Sequence, residues 1–157
     1  MSVIVRPASS ADTDIIARFN RAMAAETEGL ELDPERVRAG VEAVLADPGK
    51  GFYLVAEEDG RVVGQLMVTF EWSDWRNGSF WWIQSVYVDP AHRRRGIFRR
   101  LYEETLERAR SQPGVCGLRL YVEGENRRAQ RAYESLGMRL TPYRLYEVDF
   151  VLGAFEG

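Results

Sequence analysis

A short segment rich in arginine has the residue types that bind phosphate. In HRRRGIFRRLYEE, residues 92–104, five arginines fall within the eight positions from Arg93 to Arg100, and Gly96 interrupts them. The segment follows a predicted strand and leads into a predicted helix, so exposed N–H groups of a helix N-terminus would lie beside the guanidinium groups. Such a turn either binds a phosphate-rich ligand or forms a solvated basic surface. Its spacing is not that of the common nucleotide loops G-x-x-x-x-G-K-S/T or G-x-G-x-x-G.

A second segment, LYVEGENRRAQRAYESLGM at residues 120–138, places a tyrosine on a predicted helix. Asn126, Ala129, Tyr133 and Gly137 follow one another at intervals of three, four and four. Asn126 suits the N-cap of this helix and Gly137 its end. From this pattern alone, Tyr133 is a core side chain of an amphipathic helix.

The composition of the chain limits which kinds of ligand it is expected to bind. The chain has 157 residues, with 24 acidic against 21 basic side chains and a net charge of −3, which argues against general nucleic-acid binding. The arginine segment is therefore a local basic patch on an acidic protein, as expected for one small anionic ligand. Cys116 is the only cysteine and His92 the only histidine, so we expect no disulfide and no metal site.

Targeting signals are absent from the sequence pattern. The N-terminus lacks a basic region followed by an apolar run, and no stretch of about 18 apolar residues is present. We therefore expect a cytoplasmic protein with no membrane partner.

The elements that must position these residues alternate between strands and helices. Hydrophobic periodicity and turn residues predict one α/β domain over residues 1–157 with no linker or repeat. The predicted strands cover residues 2–8, the hairpin 51–72 around Glu58-Asp59-Gly60, 78–90, 116–124 and, as one strand or a pair, 138–152; the predicted helices cover 9–29, 33–49, 96–110 and 126–137.

The strand at residues 78–90 is apolar on both faces, which is typical of a central strand. Strict alternation predicts two sets of side chains on opposite faces. One set is Phe80, Trp82, Gln84, Val86 and Val88; the other is Trp81, Ile83, Ser85 and Tyr87.

Taken together, the two motif segments resemble the GCN5-related N-acetyltransferase (GNAT) superfamily. Its acetyl-CoA signature Q/R-x-x-G-x-G/A is matched by Arg93 and Gly96, with Phe98 at the last position. Its later segment N-x-x-A-x-x-x-Y-x-x-x-G is matched in full, and the order of predicted elements agrees along nearly the whole chain. The resemblance implies an α/β fold with a mixed, mostly antiparallel sheet of about six or seven strands and about four flanking helices.

The resemblance also implies acetyl-CoA as co-substrate, bound where the strand ending at Val88 separates from residues 118–122. The backbone of Val86 and Val88 would hydrogen-bond the pantetheine arm, amides of residues 94–98 would hold the pyrophosphate, and Asn126 would contact the pantetheine. Tyr133 would be the catalytic residue that protonates the CoA thiolate. The implied cofactor-binding residues are Val86, Tyr87, Val88, Arg93, Arg94, Arg95, Gly96, Ile97, Phe98, Arg99, Asn126 and Tyr133.

Two positions depart from the family pattern. Phe98 replaces a small residue, and we expect its ring to point inward beside Leu101 and Tyr102. Gln84 stands where several polyamine-type relatives carry a carboxylate, and an amide cannot act as a general base. The base is then elsewhere, acts through water, or the amine arrives neutral. The candidate carboxylates are Glu26, Glu28, Glu71 and Asp74.

The acceptor side carries aromatic and acidic residues. All four tryptophans lie between Trp72 and Trp82. Indole rings beside carboxylates suit a cationic amine, although the same rings equally suit a core or a subunit contact. The expected substrate-binding residues are Glu26, Glu28, Trp72, Trp75 and Gln84.

The sequence therefore predicts an acetyl-CoA-dependent N-acetyltransferase that acts on a small primary amine by direct attack in a ternary complex. The alternatives are an acyltransferase for a longer acyl-CoA and a non-catalytic CoA-binding or sensing module of the same fold. The resemblance implies a homodimer as well.

Overall fold

The computed structural model describes residues 2–153, which fall into two compact units, residues 2–121 and 122–153. The interpretation as one domain stays a prediction. No helix within residues 2–153 is both long and apolar enough to cross a bilayer. The first unit contains β1 (Val3–Pro7), α1 (Thr13–Glu28), α2 (Pro34–Ala46), β2 (Phe52–Glu58), β3 (Arg61–Ser73), β4 (Gly78–Val88), α3 (Ile97–Ser111) and β5 (Val115–Arg119); the second contains α4 (Arg127–Ser135).

The strands form one mixed sheet in the order β1-β2-β3-β4-β5. The first four strands are antiparallel neighbours, whereas β5 runs parallel to β4. A parallel neighbour requires a crossover, and α3 supplies it. The predicted hairpin between β2 and β3 is confirmed: Asp59 and Gly60 have φ values of 51° and 77°, the left-handed conformation that tight hairpin turns require.

The expectation of six or seven strands is wrong, because the described residues contain five. The difference lies at residues 138–152, predicted as a strand or strand pair, where no helix or strand is present. The alternating sequence identifies a segment able to pair, but a strand also needs a partner edge. The sheet formed by the described residues consists of β1 to β5.

Apolar side chains fill both faces of the sheet in the first unit. On one face, Ile16 of α1 and Val41 of α2 pack with Tyr53 and Val55 of β2. On the other face α3 lies close to β3, because a Cβ on Gly64 would come within 3.0 Å of Ile97 Cγ2. Glycine at this position therefore sets the height of α3 above the sheet.

The inward face of α3 includes a polar residue. Thr105 is fully buried, whereas its neighbour Leu106 is half-buried. The Thr105 hydroxyl donates to the Leu101 carbonyl oxygen at 2.8 Å, which satisfies it within the helix.

Candidate functional site

The central strand β4 is paired on both edges over only part of its length. Residues 79–82 pair with β5, and the β5 ladder does not continue along residues 83–88. On its opposite edge β4 stays paired with β3 as far as Val88, which lies opposite Gly64. Among the described residues, the 83–88 half therefore has one edge without a strand neighbour, and its backbone polar groups are open to a ligand there.

A β-bulge lies in the middle of this open half. The register shifts between Gln65 and Met67 of β3, and Ser85 opposite the shift has a φ of 51°. The buried Gln65 side chain holds the bulge by donating from Nε2 to the Ser85 carbonyl oxygen at 3.1 Å and to Asn20 Oδ1 at 2.8 Å. Gln65 lies in no motif of the sequence, so its role in shaping the site was not predicted.

The bulge reverses the alternation of side chains along β4, so the expectation that Gln84 and Tyr87 face opposite sides is wrong. Gln84 donates to Thr69 Oγ1 on the α1 side of the sheet. The Tyr87 ring lies on the same side, with its centroid 5.1 Å from that of Phe19 in α1. The extra residue of a bulge has this effect on every side chain that follows it.

The chain from Arg93 to Gly96 turns sharply into the N-terminus of α3. Arg94 and Gly96 have φ values of 65° and 76°, and no side chain of the described residues caps the helix. A Cβ on Gly96 would meet no atom within 4 Å, so the left-handed backbone rather than crowding favours glycine there. The first-turn N–H groups of α3 therefore lack a capping side chain and form a region of positive potential.

Phe98 lies in that first turn and is half-buried. Its ring centroid is 6.3 Å from that of Tyr102, so the ring lies beside this residue as expected. Its preceding neighbour Ile97 is buried, with 3% of its surface exposed. Both side chains help to fix the first turn of α3 against the sheet.

Arg93 is held by protein groups at the end of β4. Its Nε donates to the Val88 carbonyl oxygen and its Nη2 to Glu26 Oε2 in α1, each at 2.9 Å. Tyr87 donates to the other oxygen of Glu26 at 2.9 Å, and the Arg93 guanidinium lies 5.2 Å from the Tyr87 ring centroid. Arg93 thus ties the loop before α3 to α1 and β4.

Arg95 is held by a buried carboxylate. Its Nη2 donates to Glu58 Oε1 at 2.7 Å, and Glu58 is 4% exposed. This hydrogen bond lowers the pKa of Glu58 below its ordinary value, despite burial. His92 Nε2 lies 3.7 Å from the second oxygen of Glu58. Glu58 belongs to the predicted hairpin turn, and no local pattern shows that it lies beside a loop 37 residues away.

The remaining arginines of the segment differ in their contacts. Arg99 donates to Glu103 one turn further along α3, and Arg100 donates to the Val3 carbonyl oxygen. Within residues 2–153, Arg94 makes no hydrogen bond or ion pair. Of the five arginines, Arg94 is therefore the one whose guanidinium has no hydrogen-bond or ion-pair partner among the described residues. Cofactor binding by all of them stays a prediction.

The carboxylates proposed as bases have different surroundings. The hydrogen bond from Arg93 lowers the pKa of Glu26, which is the opposite of what a general base near neutral pH requires. Glu71 accepts a hydrogen bond from Arg119, whereas Glu28 and Asp74 are exposed. None of these contacts supplies a carboxylate in place of Gln84.

The four tryptophans do not form one group. Trp81 is buried against Phe52, with ring centroids 5.2 Å apart, and the tilted rings of Trp82 and Tyr121 have centroids 5.0 Å apart. Trp72 and Trp75, both predicted to bind the acceptor, are 63% and 85% exposed. Trp72 pairs with Ser79, five residues before Gln84, so the two positions are separated by about 17 Å along β4.

The second unit contains the helix with the predicted catalytic tyrosine. Asn126 Oδ1 accepts a hydrogen bond from the Ala129 amide at 3.1 Å, and Gly137 ends the helix with a φ of 93°, so both caps are confirmed. Tyr133 is half-buried, and burial raises the pKa of its phenol above the ordinary value. The phenol is therefore protonated at neutral pH, which is the form a proton donor needs.

Residues 17–138 match the Acetyltransferase (GNAT) family. This range includes the open half of β4, the arginine loop and α4. The chain belongs to the acetyltransferase (GNAT) family, as the resemblance predicted.

Solved structures show the same fold. A possible acetyltransferase from Clostridium difficile 630 is 46% identical, with a TM-score of 0.88 over 96% of this chain and 99% of that chain. A protein from Clostridium acetobutylicum, described as a predicted acetyltransferase with acetyl-CoA, has a TM-score of 0.76 at 17% identity over 96% of this chain and 97% of that chain. At that identity the likeness shows the fold alone.

Two curated relatives share part of their length with this chain. The L-methionine sulfoximine/L-methionine sulfone acetyltransferase of Salmonella typhimurium is 35% identical over 94 residues, which is 56% of this chain and 50% of the relative. A mycothiol acetyltransferase of Gordonia bronchialis is 30% identical over 151 residues, 95% of this chain and 45% of the relative. The chain thus spans half or less of the length of these relatives.

Proposed function

We propose that the protein is an acetyl-CoA-dependent N-acetyltransferase that acetylates the primary amine of a small molecule. The observation that carries this proposal is the open edge of β4 at residues 83–88, which leads directly into the uncapped N-terminus of α3. An open strand edge suits the amide groups of a pantetheine arm, and a helix N-terminus suits the phosphates that follow it.

The pantetheine arm would bind along the open half of β4 as an added strand. The carbonyl oxygen of Val88 already accepts a hydrogen bond from Arg93. Val86 is therefore the stronger candidate for hydrogen bonds to the arm. The bulge at Ser85 would turn the backbone at the thioester end.

The pyrophosphate would bind to the amides of residues 94–98. Glu26 and Glu58 neutralise Arg93 and Arg95, so these two arginines would hold the loop in shape. Arg94 would supply a direct positive charge to the phosphates. Binding would thus depend more on backbone amides and one side chain than on all five arginines.

In the reaction, the amine nitrogen attacks the thioester carbonyl carbon, and the carbon–sulfur bond breaks as the amide forms. Tyr133 would donate the proton that the departing CoA thiolate takes up. The amine must lose a proton, and Gln84 cannot accept it. We propose that the amine binds in its neutral form or loses its proton to water, because the lowered pKa of Glu26 makes this carboxylate a poor base.

The names of the curated relatives support a small molecule as the acceptor. One is named for L-methionine sulfoximine and L-methionine sulfone, which are amino-acid derivatives. An assay that measures CoA thiol released from acetyl-CoA, run over amino acids, their derivatives and polyamines, would identify the acceptor. Longer acyl-CoA thioesters in the same assay would test the acyl length.

The Tyr133→Phe substitution tests the catalytic assignment. We expect kcat to fall by about 10²- to 10⁴-fold, the usual contribution of a general acid, while the affinity for acetyl-CoA in calorimetry is nearly unchanged. Tyr143→Phe, at an exposed tyrosine outside the proposed cleft, is the matched control and should keep full activity. Wild-type turnover in Tyr133→Phe would show that Tyr133 is not the acid.

A non-catalytic CoA-binding module of the same fold is the second candidate, favoured by Gln84 in place of a carboxylate. Such a protein would bind acetyl-CoA in calorimetry and release no thiol with any amine of the panel. Turnover with one amine would exclude it.

A further inference from the structure

Gln65 is a polar side chain of β3 that lies wholly inside the first unit, with none of its surface exposed. Its Nε2 donates to two acceptors, the Ser85 carbonyl oxygen in β4 at 3.1 Å and Asn20 Oδ1 in α1 at 2.8 Å. Because a carbonyl oxygen can only accept a hydrogen bond, Nε2 rather than Oε1 must face Ser85. These two contacts fix the orientation of the Gln65 amide.

Asn20 connects this amide to a further element of the first unit. Its side chain is hydrogen-bonded to Tyr53 of β2, and Tyr53 is 3% exposed. One chain of polar groups therefore joins β2, α1, β3 and β4, and each member restricts the rotation of the next. The chain ends at the carbonyl oxygen of Ser85, so it acts on the backbone of β4.

Two features of this arrangement lower the stability of the fold. Oε1 of Gln65 is buried and has no hydrogen-bond partner within residues 2–153, which costs free energy. Ser85 has a φ of 51°, a left-handed conformation that residues other than glycine rarely adopt. An apolar residue in place of Gln65 and a regular strand at Ser85 would avoid both costs. Such costs concentrate at functional sites, so they indicate that the bulge serves a function rather than folding.

The bulge sets the direction of one backbone amide. The Ser85 carbonyl oxygen points to the Gln65 side chain of β3. In a planar trans peptide, the N–H of the next residue points in the opposite direction. The Val86 N–H therefore points away from β3, on the side where residues 83–88 lack a strand neighbour in the described part of the chain.

We propose that Gln65 is a positioning residue for acetyl transfer, which holds the peptide between Ser85 and Val86 so that the Val86 N–H donates to the thioester carbonyl oxygen of acetyl-CoA. This inference rests on the proposed function, which places the thioester end of the cofactor at the bulge. The carbonyl oxygen gains negative charge as the amine attacks, so a fixed donor stabilises the transition state more than the bound substrate. Loss of Gln65 should therefore lower kcat more than it lowers the affinity for acetyl-CoA.

Acetyl-CoA labelled with ¹³C at the acetyl carbonyl tests this hydrogen bond without an acceptor amine. The carbonyl resonance should move downfield when acetyl-CoA binds to the wild type, because the N–H donor polarises the carbonyl group. In Gln65→Met the resonance of bound acetyl-CoA should return toward its position in the free molecule. The dissociation constant in calorimetry should rise by less than about 3-fold, since ground-state binding changes little.

Turnover with an amine identified by the thiol-release panel tests the consequence for catalysis. We expect kcat of Gln65→Met to fall about 10- to 100-fold, the cost of a misplaced group near the reacting atoms. Val55→Ala is the matched control, because Val55 is fully buried in β2 directly opposite Gln65. It should lower the unfolding temperature yet keep kcat within about 3-fold of the wild type. Equal losses of kcat in the two variants would show that Gln65 acts only on folding.

Ser85→Gly tests whether Gln65 acts through the backbone of the bulge. Glycine adopts the left-handed conformation without strain, so adding Ser85→Gly to Gln65→Met should recover kcat by about 5-fold. In the wild-type background Ser85→Gly should give no such gain, because Gln65 already holds the bulge. Should Gln65→Met not fold, Asn20→Ala removes the contact that fixes Gln65 from α1 and should change the resonance and kcat in the same directions.

The outcomes separate this inference from the proposed function. A wild-type protein that shifts the carbonyl resonance but releases no thiol with any amine would contradict the proposed function and support the role of Gln65 in orienting the amide. Acetyl-CoA binding without a shift would overturn the role of Gln65, as would a Gln65→Met variant with the shift and kcat of the wild type. A wild-type protein that does not bind acetyl-CoA would overturn both.

Discussion

The two halves of β4 differ in how they are stabilised. Residues 79–82 have a strand on each side, and Trp81 packs against the rings of Phe52 and Phe70. Within residues 2–153, residues 83–88 have a strand on one side only, with a bulge at Ser85 and the arginine loop at their end. One strand thus serves as core in its first half and leaves backbone groups available to a ligand in its second.

The two halves of β4 differ in the roles of their side chains and their backbone. In the paired half, apolar side chains supply stability and the backbone is satisfied by neighbouring strands. In the open half, ion pairs and hydrogen bonds fix the loop, and backbone groups remain for a ligand. Substitutions in the paired half should therefore change folding, and those in the open half should change binding.

Trp81→Ala should have the largest effect, which should be a loss of stability. Removing a buried indole from an aromatic cluster should lower the free energy of unfolding by about 3–5 kcal/mol, which urea denaturation measures. Trp75→Ala removes an indole that is 85% exposed and should change the free energy of unfolding by less than about 0.5 kcal/mol. Equal effects of the two substitutions would contradict the assignment of Trp81 to the core.

Gly96→Asp should have the next largest effect, on binding. A carboxylate beside the amides of α3 repels phosphate, and we expect acetyl-CoA affinity in calorimetry to fall roughly 100-fold, or about 2.7 kcal/mol. Gly96→Asn is the control, because asparagine tolerates the left-handed backbone without adding charge. If Gly96→Asp binds acetyl-CoA as tightly as the wild type does, the pyrophosphate does not bind at this turn.

Arg94→Gln should weaken acetyl-CoA binding by about 10-fold, or roughly 1.4 kcal/mol, since Arg94 has no described protein partner. Arg99→Gln removes an arginine that already pairs with Glu103 and should change affinity less. The Arg94 effect should shrink as salt is added. If Arg99→Gln lowers the affinity for acetyl-CoA more than Arg94→Gln does, Arg99 rather than Arg94 is the arginine that contacts the phosphates.

Glu26→Gln should have the smallest effect, on stability. Because the pKa of Glu26 is lowered in the folded state, its ion pair with Arg93 contributes fully above the ordinary carboxylate pKa and is lost as pH falls through the lowered value. For so exposed a pair we expect roughly 0–1 kcal/mol at pH 7. The difference in urea stability between wild type and variant should vanish in acid. A change in their relative activity between pH 6 and 8 would instead indicate a titrating base.

The sequence predicted the features that depend on local pattern. The hairpin turn at Asp59 and Gly60, both caps of α4 and the start of α3 after Gly96 follow from residue types within a few positions. The family also followed from motif spacing. Such features are accessible because the residues that determine them are neighbours in the chain.

Features set by distant partners were not predicted. The contacts of Arg93 and Arg95 depend on Glu26 and Glu58, which lie 67 and 37 residues away. The bulge at Ser85 depends on Gln65 and Asn20, and it reverses an alternation that the sequence shows as regular. The strand predicted at residues 138–152 fails for the same reason, since its partner edge is not encoded in its own pattern.

The missing side chain at Gly64 links the interior of the first unit to the start of α3. Its Cα faces Ile97, the first residue of α3, across a gap that would leave an added methyl group only 3.0 Å from Ile97 Cγ2. A larger residue there would press against the Ile97 side chain, and we expect the first turn of α3 to shift with it. If the amides of that turn bind the cofactor as proposed, a substitution in the hydrophobic interior would change cofactor affinity without touching the ligand.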